Sequence, residues 1–428
     1  MTCEVAVMNK YAVVIAADSA VTFTDENGKE RYSKGGNKIF QLSSFEPVGV
    51  MIFGSAKLDG VPWEIIIKSY RDDLGKVAFA TLEEYSTSFC DYVKQAEHFF
   101  PQSDLLENFQ KIVTTAAIRL LKRCRDKYPQ IDDSTKPVGE RTVIWDTYVA
   151  EQLTELAAIP FHAQVTQEDV ATALAEIETV TQKDPSIANY LQGENLDGVL
   201  NISEWFSLAT QFVIKCHDSI LSGTGIVFSG YGKDQYFPEV IEYSISGFVR
   251  YDLLFRREAQ NSAKVTHAEP SGIFQFAMTS SIHAFIQGVD LSSFGAARDR
   301  YKIHAKNLVQ NVLSSANVPI PTDLDDMVNK SEDEWSDGWV GEISEKNYHP
   351  IKRVISSLPV DEMVHLAETL VVLQSLKERV TSSSQSVGGP IDVAVITKSE
   401  GLVWINRKHF FDSEKNLRYV MRQKALYS

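Results

Sequence analysis

Cysteine is scarce in this chain. Its four cysteines, Cys3, Cys90, Cys124 and Cys216, are too few and too scattered for a disulfide framework or a zinc motif. Long apolar runs are missing too. No stretch approaches the roughly 18 consecutive apolar residues of a membrane span, so no membrane partner is expected. The opening MTCEVAVMNK lacks the basic start and long apolar stretch of a signal peptide. Few cysteines and no leader place the expected location in the cytoplasm. Basic residues are outnumbered: 42 Lys and Arg against 57 Asp and Glu leave a net charge of −15. That is the wrong sign for a broad nucleic-acid surface. The nine histidines show no ligand spacing, and the acidic stretch 322–335 lacks the central glycine of a calcium loop, so no metal site is expected. GSAKLDG and SGYGK fall short of a phosphate loop, and no cofactor is expected.

What is present is an ordinary globular composition, 44% apolar and 23% charged. At roughly 150 residues per domain, the length allows two or three domains or one elaborated core. CEVAVMN (3–9) and YAVVIAAD (11–18) read as strands about a short Asn-Lys turn. A hairpin excursion with its tip at 25–28 follows, then strands at 38–42 and 48–54. The apolar period changes to three or four over 61–75, 81–100, 103–128, 165–182 and 201–221, which predicts a helical stretch. Thr166 with Asp169 three residues on predicts a capping box. Strand signals return over 225–232, 238–248, 249–258 and 271–279. Beyond them lie a helix at 292–315, an acidic and loop-rich middle at 317–350, a helix at 360–380, and a strand pair at 388–398 and 401–407. Strand blocks at both ends with helices between them predict one α+β core of the αββα sandwich type.

The chemistry points to the N-terminus. Thr2 is small enough to permit removal of Met1, which leaves a free α-amine beside the hydroxyl. With an ordinary pKa of about 7.7–8.0, that amine can take the hydroxyl proton without a histidine. A buried Lys38 beside Thr2 favours the alkoxide, and Asp18 holds the lysine charged. Gly54 lets a substrate carbonyl approach a backbone N–H as an oxyanion donor. Each residue alone has a plainer reading: Asp18 as a turn cap, Lys38 as an edge-strand charge, Gly54 as a strand breaker. Cys3, one residue inward, reads as core.

The blocks TCEVAVMNKYAVVIAADSAVTF, GGNKIFQL, VGVMIFGSAKLDG, SGYGKDQYFPEVIEYSISG and GGPIDVAVITKSEGLVWI together resemble the proteasome β-subunit and HslV family of N-terminal-nucleophile (Ntn) hydrolases. They fall within residues 2–60, 223–290 and 388–407. The resemblance implies a four-layer αββα sandwich formed by one core, with long helical insertions at 61–222 and 291–386. It implies a threonine-type endopeptidase in which Thr2 is nucleophile, Asp18 and Lys38 its partners, Gly54 the oxyanion glycine and Ser281 the serine beside the α-amine. Thr22 and Ala56 match backbone positions that pair with an extended substrate, and Ile52 the floor of the specificity pocket. A polypeptide substrate, a homo-oligomeric ring and an ATP-dependent unfoldase partner are implied likewise. Where that family reads Asp-x-x-Ser-Gly-Gly, this chain reads Ser384-Gln385-Ser386-Val387-Gly388-Gly389. That departure admits a decayed, assembly-forming protein as alternative, and an amidase for small acylated molecules uses the same chemistry.

Overall fold

The computed structural model describes residues 2–24, 30–381, 388–409, 411–412 and 414–426. The apolar opening forms β1 (Cys3–Asn9) and β2 (Val13–Ala17), joined by a turn in which the Asn9 N–H donates to the Ala12 carbonyl at 3.0 Å. The excursion is a ribbon of β3 (Val21–Thr24) and β4 (Glu30–Ser33), and its expected tip at 25–28 lies outside the described residues. β5 (Ile39–Gln41), β6 (Val48–Gly54) and the two-residue β7 (Lys57–Leu58) and β8 (Val61–Pro62) complete the first strand block.

The helical stretch begins with α1 (Trp63–Leu74), α2 (Leu82–Gln95) and α3 (Gln102–Lys127). It continues through α4 (Val138–Ala157), α5 (Gln167–Thr181), α6 (Pro185–Gly193) and α7 (Ile202–Lys215). The Thr166–Asp169 capping box opens α5 as expected. The second block holds β9 (Thr224–Gly230), β10 (Glu239–Val249), β11 (Asp252–Lys264) and β12 (Ser271–Ala277). Next come α8 (Ser280–Gln287), α9 (Leu291–Ser315), α10 (Leu324–Ile343), α11 (His349–Ile355) and α12 (Val360–Thr381). β13 (Asp392–Thr397), β14 (Gly401–Asn406) and α13 (Leu417–Leu426) end the chain.

The acidic segment expected as loop is therefore corrected to helix. Leu324, Val328, Glu332 and Ser336 recur every four residues and are the buried face of α10. That face meets α9, where Arg298 forms an ion pair with Glu332 and Tyr301 stacks on Trp335 at 5.0 Å.

The strands form two five-stranded antiparallel sheets, ordered β12-β1-β2-β13-β14 and β11-β10-β9-β6-β5. Alternation along β1 divides its side chains between two layers. Ala6 and Met8, with Val13, Ile15 and Ala17 of β2, face the second sheet and pack on Ile39, Met51, Val227 and Val240. Cys3, Val5 and Val7 point the other way, toward Ile282 of α8 and Met363, Ala367 and Val371 of α12. The second sheet buries Val50, Ile52 and Phe228 against Trp63 and Ile67 of α1 and Phe89 of α2. The order is thus helix, sheet, sheet, helix, an α+β sandwich. A separate core of α3 to α7 centres on Trp145 and Trp205 and joins the second sheet at Val249 and Leu254.

Candidate active site

Thr2 precedes β1 at the edge of the space between the sheets, and its carbonyl accepts the Met278 N–H at 2.9 Å. Period-two alternation puts its side chain on the same face as Glu4, and the Thr2 hydroxyl donates to Glu4 Oε2 at 3.2 Å. The Glu4 side chain is fully buried, and its second oxygen, Oε1, lies 3.4 Å from Lys38 Nζ. Lys38, immediately before β5, reaches across from the second sheet, and its ammonium also pairs with Asp18 Oδ1.

Asp18, just past the end of β2, is held by more than that lysine. Its carboxyl oxygens accept the backbone N–H groups of Cys3 at 3.0 Å, Ala20 at 3.2 Å and Gly388 at 2.8 Å. Those bonds fasten β1, the β2 exit and the approach to β13 to one side chain. Asp18 and Lys38 are therefore brought together, and Glu4 links their cluster to the Thr2 hydroxyl.

Glu4 is the residue that sequence reasoning missed. Its only signal is a lone carboxylate inside an otherwise apolar strand, two residues from Thr2. Burial is the larger influence on it and raises its pKa from 4.5 to about 7, with Lys38 pulling the other way and Asp18 adding to the rise. The Cys3 thiol is also pushed up, by burial first and by the neighbouring carboxylates second, and is fully enclosed. It is a core residue and no competing nucleophile.

Ser281 is the second residue of α8, three residues after Met278. Its hydroxyl is buried without a hydrogen-bond partner among the described residues, while its N–H donates to Gln374 Oε1 at 2.9 Å. Gly54 ends β6 with φ of +81°, and a Cβ there would lie 2.7 Å from the Gly223 carbonyl, so glycine is required at this solvent-exposed turn. Ala56 is exposed, and its carbonyl accepts the Trp63 N–H at 3.1 Å. Thr22 lies on β3, paired with Tyr32. Ile52 is 5% exposed and packs against α1 within the helix-facing core. Ser384 and Val387 lie outside the described residues, but Gly388 just beyond them contributes its N–H to Asp18. Among the described residues no group of His, Cys, Asp or Glu could hold a metal ion. No helix of the described chain is long and apolar enough to cross a membrane.

No protein-family model and no curated protein matches the sequence. Solved structures do match over nearly the whole chain. A Gly-1 mutant of Anbu from Hyphomicrobium sp. strain MC1 is 9% identical with a TM-score of 0.33, covering 100% of this chain and 96% of that one. Anbu from Yersinia bercovieri, described as an ancestral beta-subunit, is 11% identical with a TM-score of 0.26, covering 99% and 96%. A helical assembly of the Anbu complex from Pseudomonas aeruginosa is 9% identical with a TM-score of 0.26, covering 99% and 94%. The expected membership of the proteasome β-subunit and HslV family is corrected by these neighbours, which are Anbu proteins. With TM-scores this low the backbones coincide only loosely. The case for an activity rests on the side chains around Thr2.

Proposed function

We propose that the chain is an N-terminal-nucleophile hydrolase that cleaves peptide bonds with Thr2 after removal of Met1. The observation that carries this reading is the Thr2 hydroxyl at the start of a central strand, hydrogen-bonded to a carboxyl that shares one buried lysine with Asp18. A threonine packed for structure alone needs no buried ion cluster beside it, and assembling one carries a desolvation cost. The Thr2 oxygen attacks the substrate carbonyl, the Gly54 N–H receives the developing oxyanion, and an acyl ester on Thr2 forms as the amine leaves. Water then hydrolyses the ester, with the α-amine of Thr2 as base and the unpartnered Ser281 hydroxyl available to orient that amine. Lys38 supplies fixed positive charge to the hydroxyl, and Asp18 keeps the lysine in place.

In this reading the two sheets with α1, α2, α8 and α12 are one four-layer Ntn core, so the insertions are narrower than the expected 61–222 and 291–386 and comprise α3 to α7 and α9 to α10. Thr22 and Ala56 offer backbone to an extended polypeptide, and Ile52, which packs against α1, is the proposed floor of the specificity pocket. A ring of copies fed by an ATP-dependent unfoldase belongs to the same reading. Exposed apolar residues on α9, Ile303, Leu308 and Val312, offer a surface for such contacts.

The test is covalent trapping. A β-lactone probe should add its mass to the peptide beginning at Thr2, in protein from which Met1 has been removed, and Thr2→Ala should abolish the adduct. A retained Met1 on material that hydrolyses peptides, or unchanged activity in Thr2→Ala, overturns the proposal.

A further inference from the structure

We infer that Glu4 is a second proton acceptor for Thr2, taking the hydroxyl proton in the acylation step so that the α-amine is left to serve the leaving group and the later water. This rests on the hydrolase reading above.

The geometry carries the inference. The Thr2 hydroxyl already donates to Glu4 Oε2 at 3.2 Å, so the hydrogen bond runs in the direction of the transfer. The other oxygen of Glu4 has no hydrogen-bond partner among the described residues and only an ion-pair contact with Lys38 at 3.4 Å. Asp18, by contrast, accepts three backbone N–H groups and the lysine, and so has little capacity left for a proton. A carboxyl used only for structure would be expected to satisfy both oxygens. In Glu4 one of them meets only the Lys38 ammonium, at 3.4 Å, in a fully buried position.

The step balances without any further reactant. As the Thr2 oxygen bonds to the substrate carbonyl carbon, the carbonyl electron pair moves onto its oxygen and the hydroxyl proton passes to Glu4 Oε2. Collapse of the tetrahedral centre expels the amine, which takes a proton from the α-ammonium of Thr2; the resulting α-amine then takes a proton from the attacking water, and Glu4 returns its own proton to the Thr2 oxygen as the ester is cleaved. A base serves best when its pKa lies near the working pH, and burial lifts Glu4 to about 7. The titratable and charged groups that act on it are Lys38 from the second sheet, Asp18 from the β2 exit and Cys3 beside it. Ala17 and Phe276, opposite it on β2 and β12, carry no charge.

The experiment measures the rate of β-lactone labelling at Thr2 against pH for the full chain, for Glu4→Gln and for Glu4→Asp. In the native chain the rate should fall on the acid side with a midpoint near 7. Glu4→Gln should lower the plateau by about 10²-fold or more and remove that limb, the range for a positioned general base, and Glu4→Asp should recover part of it. A Glu4→Gln protein that labels within twofold of the native rate, with the same limb, overturns the role of Glu4 while leaving Thr2 as nucleophile. A native chain that is never labelled at Thr2 overturns both readings. Should Glu4→Gln fail to fold, the temperature dependence of the native limb decides. A carboxyl ionises with little heat and its midpoint stays fixed, whereas a midpoint that moves steeply with temperature belongs to an ammonium and refutes Glu4.

Discussion

Replacing Glu4 with Gln tests the buried cluster even without an assay for activity. In the unfolded chain the carboxyl titrates near 4.5, and in the folded chain near 7. The folded state therefore holds the proton more tightly between those values. The stability this contributes is complete below pH 4.5 and is lost as the pH rises through 7. A shift of roughly 2.5 units at 1.36 kcal/mol each amounts to about 3 kcal/mol. Gln is close in shape to the protonated acid and cannot ionise, so the variant lacks this loss. Urea unfolding of both proteins at pH 4.5, 5.5, 6.5 and 8 should show the stability difference moving by about 3 kcal/mol in favour of Glu4→Gln as pH rises. Most of the movement should fall between pH 5 and 7. Subtracting one protein from the other cancels the titrating groups that are remote from Glu4. A difference that stays constant across the series refutes the reasoning, since the carboxyl would then sense no burial. A difference that moves the opposite way means that Lys38 outweighs desolvation.

Lys38→Met should cost about 3–5 kcal/mol at neutral pH, because it strands Asp18 and Glu4 without their cation, and chemical denaturation should show a smaller loss at pH 5, where Glu4 is protonated. Gly54→Ala should destabilise by about 1–3 kcal/mol, read by thermal or urea unfolding, since φ of +81° and the nearby Gly223 carbonyl both oppose a Cβ. Trp205→Ala empties a fully packed position and breaks the indole N–H bond to the Ala117 carbonyl at 2.8 Å. It should cost about 3–5 kcal/mol, and hydrogen exchange should show protection lost in α3, α5 and α7 while β1 and β2 keep theirs.

The parts of the molecule that were legible in the sequence are those governed by local pattern. The Val-rich runs of β1, β2 and β6 gave strands because both of their faces are covered. Thr166 and Asp169 gave a helix start because the capping box is a four-residue device. Asp18 and Lys38 were legible through the resemblance, even though the family identification itself did not stand. Other features depend on distant partners. The acidic residues of α10 look solvated until Arg298 and Lys302 of α9 meet Glu332. In a strand apolar on both faces, nothing local says which side Ile52 takes, and it takes the helix side. α4 escaped notice because its buried residues, Arg141, Trp145, Tyr148, Val149 and Leu156, include an arginine whose role is to bond the Ile131 and Asn195 carbonyls. Glu4 hid for a similar reason, because a single letter in a strand does not disclose that its side chain is sealed from water.

Lys38 belongs to one sheet while both carboxyls it serves belong to the other. Its carbonyl also accepts the Ile52 N–H at 2.9 Å, tying it to the strand that runs on to Gly54. The cluster is therefore a latch between two plates. A slip of one plate over the other by a few ångströms would uncouple the ammonium from Asp18 and Glu4 and move Gly54 relative to Thr2, with every strand still paired. In the proposed reading, such a translation would separate the Lys38 charge from Thr2 without unfolding any strand.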